Sequence, residues 1–162
     1  MPVDAWHPLL KIPNRKGVMS LNNPQYDIQI SLIDQKVKMS GISKSNAEQP
    51  LTFDFAPPLG TGAGYAGLEL LVMSFASCVS TTLLYLLRKK GAQVSDFKAH
   101  VQGFRREKPL SLGKIIFEAA IKADHIGADE IRNALEETRT LAPVWVSMSD
   151  QVVVETSYKL LD

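Results

Sequence analysis

The chain has 162 residues, with 18 Lys and Arg against 17 Asp and Glu for a formal net charge of +1. Its composition, 45% hydrophobic and 22% charged, is that of a folded globular domain and excludes a disordered chain, a collagen-like repeat and a charged coiled coil. The balanced charge leaves no global field to recruit nucleic acid or an anionic membrane. The single cysteine, Cys78, excludes an internal disulfide framework and fits a reducing, cytoplasmic setting, although so few thiols are also compatible with the periplasm.

The first stretch is irregular, broken by Pro2, Pro8, Pro13 and Pro24, and lacks the basic head and apolar run of a secretory signal. Gln25 to Ile33 alternates, with Tyr26, Ile28, Ile30 and Leu32 on one face, which predicts a half-buried strand. A turn at Asp34-Gln35 and a second alternation from Lys36 to Ile42 predict an antiparallel hairpin. Leu51 to Phe55 reads as a third strand. A Pro- and Gly-rich run, Pro57 to Gly67, then feeds a long apolar segment that carries no charge from Leu70 to Leu87.

That segment has nearly the length of a membrane span. Ser74, Ser77, Ser80, Thr81 and Thr82 dilute it, and the amphipathic strands around it need a core to cover. It is therefore read as a buried core helix rather than a membrane span. Arg88-Lys89-Lys90-Gly91 supplies late cations and a left-handed stop. Val94 to Phe104 and Lys114 to Ala123 are two further strands, joined by a basic loop through Arg105, Arg106, Lys108 and Pro109. A helix over Ala128 to Thr140, with the stripe Ile131, Ala134, Leu135 and Thr138, ends at Pro143, and Gln151 to Tyr158 is the last strand. The order β-β-β-α-β-β-α-β predicts one α+β domain over residues 1–162, with mostly antiparallel sheets wrapped around the long helix.

Few residues offer chemistry. Gly62 to Gly67 fits G-x-G-x-x-G, but Pro57-Pro58 interrupts the approach and no acid stands between Glu69 and Asp96, so it reads as a flexible hinge and no nucleotide cofactor is expected. His7, His100 and His125 lack metal-ligand spacing, and no metal is expected. Cys78 has two readings: an inert buried hydrophobe, or a nucleophile whose thiolate needs a cation from elsewhere in the fold, because its own helix supplies none within two turns.

Three stretches resemble the OsmC/Ohr family of thiol-dependent hydroperoxide reductases. Gly67 to Cys78 (GLELLVMSFASC) resembles the family's P-x-E-L-L…A-S-C run, whose cysteine is peroxidatic. Leu141-Ala142-Pro143-Val144 with Ser147 to Glu155 resembles its C-P-V segment and final strand, and Asn14 to Ser20 its arginine-bearing turn. The resemblance implies an intertwined homodimer with two interface sites. In each, Cys78 would attack an organic hydroperoxide, Arg15 would lower the thiol pKa and polarise the peroxide, and Glu69 would hold Arg15. Two departures stand out. Ala142 occupies the place of the resolving cysteine, so an external thiol would have to resolve Cys78. Leu68 stands where the hydroperoxide-resistance branch has its acid, and the one-residue shift to Glu69 turns a helical side chain by about 100°. The leading expectation is a one-cysteine peroxidase for apolar hydroperoxides. The alternative is a non-catalytic protein on the same fold that holds an apolar or acyl ligand.

Overall fold

The computed structural model describes residues 25–161. Three antiparallel strands come first: β1 (Ile28–Leu32), β2 (Met39–Ser43) and β3 (Leu51–Phe53), paired in the order β1-β2-β3. The β1–β2 turn is closed by Asp34, whose Oδ1 accepts from the Lys36 and Lys38 amides at 2.7 and 3.0 Å. Gly41, at the centre of β2, lets the Phe53 ring and Ile30 lie across the sheet, since a Cβ there would run into both.

Helix α1 (Gly67–Lys89, 23 residues) follows. Its buried residues, Phe75, Val79, Thr82, Leu83, Leu86 and Leu87, recur at the spacing of one helical face. At its end the Ala92 amide reaches the Leu87 carbonyl at 3.1 Å and the Gly91 amide reaches Arg88 at 3.0 Å. This six-to-one closure requires a left-handed residue, supplied by Gly91 at φ 93°.

The chain then forms a long hairpin, β4 (Gln93–Glu107) and β5 (Leu110–Asp124), followed by α2 (Ala128–Leu141), the single-turn α3 (Pro143–Val146) and β6 (Val153–Leu160). Strand β6 joins β5 in parallel, giving the order β4-β5-β6. A strand returning through a helical crossover can add in that sense, which a tight hairpin cannot. One face of this sheet, with Ile115, Phe117, Ala119 and Ile121 on β5, packs with α1 and with Ile131, Ala134 and Leu135 of α2 into the core. The Phe75 ring meets Phe117 edge-on at 6.4 Å and Trp145 at 5.2 Å.

The α+β class and the predicted element order hold, with differences that have physical causes. The Tyr26–Leu32 face predicted to be half-buried is exposed in the single chain: Tyr26 is 84%, Ile28 54%, Ile30 50% and Leu32 60% accessible. Among the described residues, packing around α1 comes chiefly from β4, β5, α2 and α3, so within them sheet covers one side of the helix. The basic loop is instead the continuation of β4 and β5 up to Glu107 and Leu110. There the Arg106 guanidinium donates to the Gln151 backbone carbonyl and Arg105 pairs with Glu107 at 3.3 Å, so two of its cations are engaged within the chain. Pro143 does not merely stop α2: it opens α3 at the first helical position, where its missing amide hydrogen costs nothing.

Candidate functional site

Cys78 is a free thiol midway along α1, partly buried against the edge of the core. The helix turn that places Phe75 and Thr82 inward brings Cys78 to the same side, and the Thr82 hydroxyl donates to the Cys78 carbonyl at 2.9 Å. The sulfur faces the α2–α3 junction. The backbone N–H of Val144 donates to Cys78 Sγ at 3.5 Å across 66 residues of sequence. Val144 is the second residue of α3, and amides in a first helical turn have no intrahelical acceptor. The sulfur thus receives a donor the helix would otherwise leave to solvent.

Ala142 lies in the same junction and is fully buried. The segment that resembles the family's C-P-V run is therefore brought against Cys78, with a methyl group in place of the second sulfur. Trp145, on the other side of Val144, packs on Phe75 and closes the apolar surroundings.

The other two residues of the expected trio stand differently. Arg15 lies outside the described residues. Glu69 is exposed in the first turn of α1, and its Oε2 accepts from the Ala66 amide at 3.3 Å, the acidic half of a capping box. Nine residues of helix put Glu69 about 13 Å from Cys78 along the axis and about half a turn round it. Within one chain the two side chains do not meet. Since α1 carries no charged side chain between Glu69 and Arg88, a cation for Cys78 has to come from another segment or another chain.

Sequence reasoning missed two features. One is the Val144 amide, signalled by the Ala-Pro-Val step that starts a helix. The other is Asp54, a carboxylate only 1% accessible. Its Oδ2 accepts from Thr61 Oγ1 at 2.6 Å, the Thr61 amide at 3.0 Å and the Ala63 amide at 3.0 Å, while Oδ1 takes the Phe55 amide at 2.8 Å. The bond from the Thr61 hydroxyl, then that from Ala63, holds its carboxyl far below the ordinary carboxylate range against the opposing effect of burial. The glycine-rich run expected to be a flexible hinge is thus a clamped loop leading into α1. Among the described residues no three His, Cys, Asp or Glu side chains gather as a metal site.

The fold and the Cys78 junction define an α+β protein with one cysteine, partly buried, on a long apolar helix. The model of the OsmC-like protein family matches residues 60–157, and the chain belongs to that family. No curated protein sequence matches. Solved structures share the fold at low identity. An OsmC-like protein from Mycoplasma pneumoniae is 19% identical, covering 86% of this chain and 99% of its own, with a TM-score of 0.72. An organic hydroperoxide resistance protein OsmC from Legionella pneumophila is 13% identical over 85% and 99%, at 0.66. The organic hydroperoxide resistance protein OhrB of Bacillus subtilis is 14% identical over 84% and 98%, at 0.56. Helix α1 is the one helix among the described residues long and apolar enough to cross a membrane, and it supplies Phe75, Val79, Leu83, Leu86 and Leu87 to the core.

Proposed function

We propose that the protein reduces organic hydroperoxides with Cys78 as the single peroxidatic thiol and an external thiol as resolving partner. The observation that carries this reading is the Cys78 sulfur, partly buried in an apolar junction and met by the Val144 N–H at 3.5 Å, in a chain of the OsmC-like family. The thiolate attacks the peroxide oxygen, the O–O bond breaks, the alkoxide leaves as the alcohol, and Cys78 becomes a sulfenic acid. One external thiol converts this to a mixed disulfide with loss of water, and a second restores Cys78. The apolar side chains of Val144 and Trp145 beside the sulfur favour an alkyl or lipid peroxide over hydrogen peroxide.

In this reading Arg15 supplies the missing cation and Glu69 holds it, with both sites completed in a homodimer. Two features support the dimer: the uncovered apolar face of β1–β3, and α1, only 33% of whose apolar window is buried in the single chain. A cytoplasmic location fits, since that compartment supplies reducing thiols. The test mixes reduced protein with cumene hydroperoxide and excess dithiol and follows peroxide loss. Turnover that disappears in Cys78→Ser and falls at least tenfold in Arg15→Ala is expected, and wild-type turnover no higher than that of Cys78→Ser overturns the reading. The buried Ala142 favours a second reading, an apolar-ligand carrier that has lost redox cycling. It predicts an inert thiol together with a co-purifying small molecule in native mass spectrometry.

A further inference from the structure

The pairing of Cys78 with the Val144 amide has a chemical consequence of its own. A sulfenic acid with no neighbouring thiol is exposed to further peroxide and to irreversible conversion into sulfinic and sulfonic acids. Ala142 offers no sulfur, and Cys78 is the only cysteine in the chain. Sulfenic acids also condense with backbone nitrogen. Here a nitrogen stands 3.5 Å from the sulfur with its hydrogen directed at it.

We propose that oxidised Cys78 closes onto the Val144 backbone nitrogen as a reversible sulfenamide, which takes the place of the missing resolving cysteine. The inference rests on the peroxidatic reading above. In the first step the hydroperoxide transfers one oxygen to Cys78 and leaves as the alcohol, oxidising sulfur by two electrons. In the second, the Val144 amide gives up its proton, and the electron pair of that N–H bond, already directed at sulfur, forms the bond to it. The sulfenic S–O bond breaks, the S–N bond forms, and the amide hydrogen departs with the hydroxyl as water. An external thiol then attacks sulfur and returns the proton to Val144 N, leaving a mixed disulfide that a second thiol reduces.

The position on α3 suits this exchange. A substituted nitrogen in mid-helix would forfeit a backbone hydrogen bond, but the second residue of a helix has none to lose. The preceding residue, Pro143, already shows that this turn tolerates a nitrogen without hydrogen. The α3 turn is four residues long and joins α2 through the extended backbone of Ala142, so Val144 sits on a short segment separate from the α2 stripe.

The experiment treats the full-length reduced protein with one equivalent of cumene hydroperoxide without thiol. Intact masses are then read under denaturing, non-reducing conditions, and proteolytic fragments are mapped. The expected product is a single chain lighter than the reduced form by two hydrogens, with the Cys78 and Val144 peptides linked and dithiol restoring both hydrogens. Val144→Pro removes the nitrogen's hydrogen and is expected to gain oxygen atoms instead; the wild-type fragment map stands whether or not that variant folds. Added oxygen atoms in the wild type, a covalent pair of chains through Cys78, or a link to any other nitrogen overturn the sulfenamide while leaving a reactive Cys78. No change in mass overturns both.

Discussion

The β1–β3 sheet and the β4–β6 body are written in the same alternating pattern, yet only one of them closes its core within the chain. In the body, Phe75, Ile115, Phe117, Ile121 and Ile131 are fully inaccessible, and α1, α2 and the sheet supply each other's missing faces. In the small sheet the apolar face formed by Ile28, Ile30 and Leu32 is at least half accessible, and among the described residues β1–β3 leads into the rest through the Asp54-clamped loop, with one isolated bridge between Phe53 and Tyr65. Alternation states that a strand has an apolar face; it does not state whose surface covers it. The site inherits this division: the sulfur and its amide donor belong to the self-sufficient body, while the cation proposed for it belongs to the part of the sequence that precedes the open sheet.

Truncation gives the largest contrast. Phe75→Ala removes a ring that contacts both Phe117 and Trp145, and is expected to cost about 3–5 kcal/mol in urea unfolding. Ile30→Ala in the open sheet is expected to cost under about 0.5 kcal/mol at high dilution. At higher concentration its cost should grow, because a dimer adds stability by mass action. Ile30→Asp sharpens the point: light scattering should give half the wild-type mass, with the far-ultraviolet circular dichroism of the body unchanged. A wild-type mass already equal to one chain removes the dimer from the proposal.

The same division explains what was readable in advance. The α2 stripe of Ile131, Ala134, Leu135 and Thr138 was legible because both helix period and burial are set within the chain. So was the end of α1, where Gly91 and the preceding cations mark a local device. The exposure of Tyr26, Ile28 and Ile30 was not, since burial depends on distant surfaces. The parallel sense of β6 was hidden for a related reason: strand direction follows from the crossover through α2, and the strand's own pattern is the same either way. Cys78 could be singled out from sequence, but its donor could not. A backbone amide has no letter in the sequence, and only the approach of α3 to α1 selects Val144.

Asp54 tests whether the loop between the two regions belongs to the cooperative body. Its carboxyl is held low by hydrogen bonds, so ionised Asp54 contributes stability above the ordinary carboxylate pKa, and that contribution fades as pH falls and the unfolded chain takes up the proton first. Asp54→Asn must turn an NH2 group toward amides that are already donors. The urea midpoint of the variant is expected to lie below wild type at pH 7, with the gap narrowing below about pH 4. An equal gap at both pH values would assign the loss to packing rather than to charge.

Two glycines give the smallest and most discriminating comparison. Gly91 has φ 93° with no atom within 4 Å of a hypothetical Cβ, so Gly91→Ala meets only backbone strain. Its expected cost is about 1 kcal/mol, independent of protein concentration. Gly41 is the reverse case: its backbone carries no such strain, but a Cβ would press on the Phe53 ring and Ile30. Where that face is open, both side chains swing into solvent and Gly41→Ala costs less than Gly91→Ala. Where a second chain covers the face they have nowhere to go, and the order of the two variants inverts as protein concentration rises through the dimerisation range. Urea midpoints measured at two concentrations a hundredfold apart read that inversion, and parallel shifts of both variants would show the face uncovered throughout.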